Sequence, residues 1–182
     1  MREEIKNEDI RNMVVEALRQ FYIHDLKLLE APYEPTVSAK IAMYLHVSLT
    51  SHIKYKRFDV DCEYNHAAMD KKTPPKPYPH KTMRPDILIH HRVPKGGDPY
   101  NQQANILFCE LKIGKISHRD IKKINCAIVT YHYCLGLSIH YIEKTGVTLR
   151  WVTDGQDASD VKFDEKYNWD AKSKQLVLAS EN

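Results

Sequence analysis

The fold is decided by two stretches, RPDILIH at residues 84–90 and NILFCELK at residues 105–112. Both are short and apolar with β-branched residues, which is typical of buried strands, and the segment between them contains proline, glycine and asparagine. We therefore predict a β-hairpin. Because side chains alternate between the two faces of a strand, Glu110 and Lys112 are expected to project together at the end of the second strand.

A third charged residue, Asp86, opens the facing strand directly after Pro85, a position at which a strand tolerates proline. Three charged side chains at one end of a hairpin are costly to bury unless something pairs with them. A divalent cation is the natural partner for the carboxylates of Asp86 and Glu110. The alternative is a plain ion network, in which Lys112 pairs with one of the acids and no metal takes part.

The spacing of these residues resembles a known motif. Pro85-Asp86 and Glu110-Leu111-Lys112, separated by some two dozen residues, are similar to the motif of the PD-(D/E)XK nucleases, which share the restriction-endonuclease fold. Further segments resemble one group of small, mostly uncharacterised bacterial proteins with this fold: residues 34–37 (EPTV), 61–65 (DCEYN), 84–92 (RPDILIHHR) and 120–124 (DIKKI). The resemblance covers roughly residues 34 to 140. It departs from the group's pattern at residues 113–114, where a second lysine is expected, and in a proline-rich insertion before residue 84.

This resemblance implies an enzyme: a Mg²⁺- or Mn²⁺-dependent nuclease that hydrolyses phosphodiester bonds of nucleic acid, with DNA preferred to RNA. The metal ligands would be Asp86, Glu110 and the backbone carbonyl of Leu111, because these hard cations bind oxygen. Lys112 would orient or deprotonate the attacking water, or stabilise the negative charge that develops on the phosphate.

Two further carboxylates, those of Glu34 and Glu63, are assigned to the catalytic site by the resemblance. One- and two-metal mechanisms both stay open, and in the second case Glu34 or Glu63 would help to hold the additional ion. Glu34 also precedes a helical pattern, so it equally fits an acid that stabilises the positive end of a helix dipole. Glu63 lies in an alternating strand pattern at residues 57–64 whose outer face is acidic. Its neighbours Asp59 and Asp61 are expected to be solvated.

Basic residues are concentrated in the half of the chain that carries the motif, although the net charge is only +3. A basic surface beside carboxylates suits a polyanionic substrate held around a metal ion. The candidate contacts to nucleic acid are Arg84, His90, Arg92, Lys115, Arg119 and Lys123. The alternative is a lysine-rich surface that is merely solvated.

The remaining patterns predict the elements around the hairpin. Helical periodicity occurs in three segments, residues 8–29, 35–53 and 117–135, and Ser117 with Asp120 forms a capping pair. Strand patterns occur at residues 138–143, 147–152 and 175–178, whereas residues 65–82 and 156–166 are expected to be loops. This order favours an α/β fold, a central mixed β-sheet flanked by helices, with a restriction-endonuclease-like core and an extra N-terminal helix. We expect one domain over residues 1–182 with its core at about residues 34–153.

The composition, with 42% hydrophobic and 28% charged residues, is ordinary for a soluble globular protein. The first residues are too charged for a signal peptide, and polar residues interrupt the most apolar run, so no membrane span is expected. The four cysteines form no CxxC pair and predict free thiols. We therefore expect a cytoplasmic protein, with a homodimer or a partner protein compatible with nuclease action.

Two other functional classes stay open beside the nuclease. The same fold could hold nucleic acid with weak or no catalysis, as a subunit of a larger defence or repair assembly. Alternatively, the hairpin is structural and its charged residues form only the ion network. Dependence on added metal separates the last case from the others, because an ion network needs no cation.

Overall fold

The computed structural model describes residues 6–63, 66–67, 70–71, 84–92, 105–153 and 164–180. Most of the expected loop at residues 65–82 and most of the acidic segment at residues 156–166 lie outside these ranges. So do residues 93–104, which connect the two strands of the predicted hairpin.

The described residues form three α-helices, two short 3₁₀ helices and nine strands. The α-helices are α1 (Asn7–His24), α2 (Glu34–Ser51) and α3 (His118–Tyr131), and the 3₁₀ helices are Leu26–Glu30 and Ile53–Tyr55. The first five strands are β1 (Asp59–Cys62), β2 (His66–Ala67), β3 (Asp70–Lys71), β4 (Ile87–His90) and β5 (Asn105–Leu111). The last four are β6 (Leu135–Glu143), β7 (Gly146–Val152), β8 (Glu165–Asp170) and β9 (Gln175–Leu178).

Seven strands form one mixed sheet in the order β1-β4-β5-β6-β7-β8-β9, and β2 pairs with β3 separately. The predicted hairpin is confirmed, because β4 and β5 pair antiparallel with Ile87 opposite Cys109. Among the described strands, β5 and β6 are the one parallel pair, and α3 connects them as a crossover helix. The described residues therefore have the predicted α/β class, with a mixed sheet and flanking helices.

The alternating side chains of β5 divide between two apolar clusters. Leu107, Cys109 and Leu111 belong to the cluster that includes α1 and α2, whereas Phe108 belongs to the cluster that includes α3. A fully buried Leu, Ile or Phe side chain stabilises a fold by roughly 1.5–3 kcal/mol, so each cluster fixes its helices firmly. The same alternation turns Glu110 toward α3.

Several element boundaries differ from the predicted ones. Helix α1 ends at His24 and a 3₁₀ helix takes over, while α3 ends at Tyr131 because His132 adopts a left-handed backbone with φ of 53°. Leu135, predicted in the helix, opens β6. Strand β8 was not predicted, because its sequence EKYNWD is polar and only half-buried and gives little apolar signal. The capping pair is confirmed: Ser117 and Asp120 form a reciprocal capping box at the start of α3.

Two further findings on the described residues concern membrane-spanning helices and the cysteines. None of the helices in the described ranges has the length and apolar character that crossing a membrane requires. All four cysteines are free thiols, as predicted.

Gly136 should be required for the contact between β6 and α3. A Cβ atom at this position would lie 2.3 Å from Cγ2 of Ile124 and 2.9 Å from Cδ1 of Ile128. We expect Gly136→Ala to lower the free energy of unfolding by about 1–3 kcal/mol, measured by urea denaturation, because the buried isoleucines must move. Gly114→Ala is the matched control, since a Cβ there meets nothing within 4 Å. Equal stability of the two variants would contradict this account of the packing.

Candidate functional site

Five charged side chains meet at one end of the β4–β5 hairpin, and we call them the carboxylate–lysine cluster. Its members come from the first residue of α2, from the hairpin and from α3: Glu34, Asp86, Glu110, Lys112 and Lys123. The structure thus brings together four of the five predicted catalytic residues. It adds Lys123, which the sequence assigned only to nucleic-acid contacts.

Asp86 is fixed by two backbone hydrogen bonds to the end of β5. Its N–H donates to the carbonyl of Cys109 at 3.1 Å, and its Oδ2 accepts from the N–H of Leu111 at 2.6 Å. These bonds hold the carboxylate beside the C-terminal end of β5, where Glu110 also lies. The antiparallel register of the hairpin therefore determines the position of Asp86.

Glu110 is almost completely buried, with 1% of its surface exposed. Nζ of Lys123 lies 2.5 Å from both carboxylate oxygens, but the geometry of a hydrogen bond is satisfied only at Oε2. Oε1 accepts no hydrogen bond from the part of the chain that the structure describes. Nζ of Lys123 also donates to the carbonyl of Arg84 at 3.1 Å, so this lysine joins α3 to both strands of the hairpin.

Lys112 contacts α2 and not α3. Its Nζ donates to Oε2 of Glu34 at 2.9 Å, and the N–H of Ile113 donates to Oε1 at 3.2 Å. Because β5 ends at Leu111, the alternation of side chains does not extend to Lys112. Lys112 and Glu110 therefore lie at the same end of the hairpin but bind partners on different helices. Glu34 occupies the first turn of α2, which fits the helix-dipole interpretation, whereas its predicted place at a metal site stays a prediction.

The positive charges near Asp86 and Glu110 only partly offset the cost of burying these two carboxylates. Burial raises the pKa of Glu110 to about 8, even though the charge of Lys123 opposes this shift. Burial also raises the pKa of Asp86, and the hydrogen bond from Leu111 and the charge of Lys112 only partly offset it. The pKa of Lys112 is raised despite its burial, because it donates to Glu34 and lies near Asp86. The cluster can therefore accept further positive charge.

Glu63 lies apart from these contacts in an exposed ion pair. Its Oε2 is 3.5 Å from the guanidinium of Arg84, and both side chains are more than half exposed. Glu63 follows β1 with a left-handed backbone, φ 49°. Its predicted place in the catalytic site stays a prediction.

The predicted contacts to nucleic acid are spread over several environments. Lys115 is exposed in the segment before α3, Arg119 is exposed in the first turn of α3, and Arg92 is exposed after β4. His90, in contrast, is buried, and its Nε2 lies 2.8 Å from Oδ2 of Asp61. Arg92 also donates to both oxygens of Asp61, at 2.5 and 3.1 Å.

The expectation that Asp61 is solvated was wrong. Burial acts to raise its pKa, but the hydrogen bonds from Arg92 and His90 outweigh this effect and lower the pKa. Asp61 thus ties β1 to β4. The signal missed in the sequence was that an acid on one strand and a histidine on its neighbour can share a face once the pairing register is known.

A second polar group on β6 and β7 was not predicted either. Oγ of Ser138 lies 3.2 Å from Nδ1 of His140, whose Nε2 is 3.5 Å from Asp164, and Arg150 donates to Asp164 at 2.6 and 2.9 Å. This order of serine, histidine and aspartate resembles a hydrolase triad. Ser138 is fully buried, however, and a nucleophile must reach its substrate. Only the carboxylate–lysine cluster therefore enters the functional argument.

The comparisons with protein-family models, with curated proteins and with solved structures found no match. Among the residues that the structure describes, no group of three or more His, Cys, Asp or Glu side chains could hold a metal ion. The carboxylate–lysine cluster contains three carboxylates, those of Glu34, Asp86 and Glu110, and the metal ligands predicted from the sequence stay a prediction.

The pKa of Glu110 predicts a specific dependence of stability on pH. Because its pKa is about 8 in the folded protein and 4.5 ordinarily, ionised Glu110 destabilises the fold. The stability that protonated Glu110 provides is complete below about pH 4.5 and is lost as pH rises to about 8. In EDTA, we expect the unfolding free energy of Glu110→Gln minus that of the wild type to increase with pH across this range. The slope should be at most about 1.4 kcal/mol per pH unit.

This slope can be measured by urea denaturation at a series of pH values. Glu63→Gln is the matched control, because it removes an exposed carboxylate from the same region. A difference between Glu110→Gln and the wild type that does not change with pH would contradict the account of Glu110.

Proposed function

We propose that this protein is a metal-dependent nuclease that hydrolyses phosphodiester bonds of nucleic acid at the carboxylate–lysine cluster. The observation that carries the proposal is the pair of carboxylates, Asp86 and Glu110, held at one end of a hairpin beside Lys112. Oε1 of Glu110 is buried, and Nζ of Lys123 lies 2.5 Å from it without the geometry of a hydrogen bond. A buried carboxylate is costly unless its charge is compensated, and a divalent cation would add to the compensation that Lys123 provides.

The donor set fits a small hard cation. Mg²⁺ keeps several of its waters and is commonly held by one or two carboxylates together with substrate phosphates. Asp86 and Glu110, with the carbonyl of Leu111, would supply protein ligands of this kind, so a group of three acidic side chains is not required. When bound, the metal would supply an activated water and neutralise charge on the phosphate.

The remaining residues of the cluster would position the substrate. An ammonium group has three N–H donors, so Lys112 can donate to Glu34 and still donate to an attacking water or to a phosphate oxygen. Glu34 would act as the positioning residue for Lys112, because it holds this lysine and accepts from the N–H of Ile113. Glu34 and Lys112 would therefore both contribute to the attack of water on the phosphate.

A polyanionic substrate is supported by the surface around the cluster. Lys115 is exposed in the segment before α3, Arg119 is exposed in the first turn of α3, and the side chain of Arg84 is exposed before β4. Lysine and arginine side chains bind nucleic acid through its phosphates. We propose DNA as the substrate ahead of RNA.

A second candidate is binding of nucleic acid without cleavage, and one observation favours it. Both lysines of the cluster are already paired, Lys112 with Glu34 and Lys123 with Glu110. These two ion pairs partly neutralise the negative charge of Glu34 and Glu110 without a metal. The same basic surface would then serve to hold nucleic acid.

Removal of a cluster residue should abolish cleavage without unfolding the protein. Plasmid, linear and single-stranded DNA and RNA are incubated with protein in EDTA, Mg²⁺ or Mn²⁺. We expect cleavage only with metal, and a loss of at least about 100-fold in Asp86→Asn and in Lys112→Met, because a metal ligand or a positioned donor is missing. Lys172→Met is the control, since Lys172 is exposed in the turn between β8 and β9.

The other outcomes separate the candidates. Wild-type rates in Asp86→Asn or Lys112→Met would remove these residues from the site. Binding of nucleic acid with no cleavage in any metal would support the binding protein. If neither binding nor cleavage occurs and Mg²⁺ leaves the melting temperature unchanged, the cluster is a structural ion network.

A further inference from the structure

Lys123 occupies the carboxylate that the proposed metal requires. Its side chain is 16% exposed and that of Glu110 is 2% exposed, so the pair is largely removed from water. Lys112, the other lysine of the cluster, pairs with Glu34, which is not one of the proposed metal ligands. The two lysines therefore differ in what they would do when a cation arrives.

The ammonium of Lys123 contacts both sides of the β4–β5 hairpin. It donates to Glu110 near the end of β5 and to the carbonyl of Arg84, two residues before Asp86. Both proposed carboxylate ligands, Asp86 and Glu110, are affected by its charge. Lys123 thus supplies positive charge to the same two acids that a divalent cation would bind.

An ammonium group and a divalent cation on one carboxylate repel each other. Two like charges a few ångströms apart in a largely buried site repel each other strongly, and a doubly charged ion increases this repulsion. Lys123 must therefore leave Glu110 when the metal binds. Lys123 lies in the first half of α3, one turn after the exposed Arg119. A phosphate group bound beside Arg119 would therefore lie near Lys123.

We propose that Lys123 competes with the metal ion for Glu110. Its ammonium neutralises Glu110 in the metal-free protein, and when the metal binds the side chain moves and contacts a substrate phosphate. This inference rests on the proposed nuclease function. It makes metal binding weak in the absence of nucleic acid and stronger in its presence, because the phosphate receives the displaced ammonium. By linkage, metal also strengthens the binding of nucleic acid.

The test is binding of Mn²⁺ alone, measured by calorimetry or electron paramagnetic resonance at about pH 8. Lys123→Met removes the competing charge, and we expect it to bind Mn²⁺ about tenfold more tightly than the wild type, within the usual range of coupling between sites. Lys122→Met is the matched control, because Lys122 is the adjacent exposed lysine on α3. We expect its affinity for Mn²⁺ to equal that of the wild type.

A second readout moves in the opposite direction. At saturating Mn²⁺, Lys123→Met should cleave nucleic acid more slowly than the wild type, because the phosphate contact is lost. Lys123→Gln repeats both measurements with a polar side chain that has no charge, in case the methionine variant does not fold. A residue that merely holds Glu110 in place would, when removed, weaken Mn²⁺ binding and cleavage together.

The failures can be told apart. If the wild type binds Mn²⁺, Glu110→Gln does not, and Lys123→Met and Lys123→Gln bind no more tightly than the wild type, the competition is overturned and the metal site stands. If none of these proteins binds Mn²⁺ at concentrations up to about 10 mM, weaker than the weakest ordinary protein sites for divalent cations, the proposed metal site is overturned together with the competition.

Discussion

The burial of one carboxylate, that of Glu110, is the constraint on which this end of the molecule depends. A buried ionised acid is costly unless it is paired and hydrogen-bonded. Its partner, Lys123, comes from the helix that connects the only parallel pair of strands in the described sheet. The ion pair therefore requires a fixed position of α3 relative to the end of β5. The capping box of Ser117 and Asp120 fixes where α3 begins, and the close approach of Gly136 to Ile124 and Ile128 fixes how near α3 lies to the sheet.

Much of the fold could be predicted because its signals are local. The hairpin follows from two apolar stretches around a loop, and the start of α3 follows from Ser117 and Asp120, three residues apart. Strand β8 escaped prediction because half of its residues face solvent and only two half-buried aromatic residues, Tyr167 and Trp169, alternate with its polar residues. The sequence also could not reveal that Asp61 is half-buried and paired, since its partners are His90 in β4 and Arg92 just after that strand.

The candidate site shows the same division between local and distant information. Asp86, Glu110 and Lys112 could be placed together because one hairpin carries all three. The partner of Lys112 lies 78 residues away in the sequence, and only the resemblance pointed to Glu34. Lys123 was assigned to substrate contacts because a lysine on a helix surface gives no indication of which strand lies beneath it. Its contact with Glu110 depends on tertiary packing, which side-chain spacing along one helix does not encode.

The two ion pairs of the cluster distinguish a structural role from a chemical one. Replacement of a buried ion pair by apolar residues is often neutral or stabilising, so such a pair is weak support for a purely structural role. If the pair of Glu110 and Lys123 existed only to hold α3, a fully satisfied carboxylate would be expected, because each unsatisfied buried oxygen reduces stability. Nζ of Lys123 lies 2.5 Å from Oε1 of Glu110 but makes no hydrogen bond with it, while Asp86 lies close enough to raise the pKa of Glu110 further. Two neighbouring acids that oppose each other's ionisation form an arrangement that an added cation would stabilise.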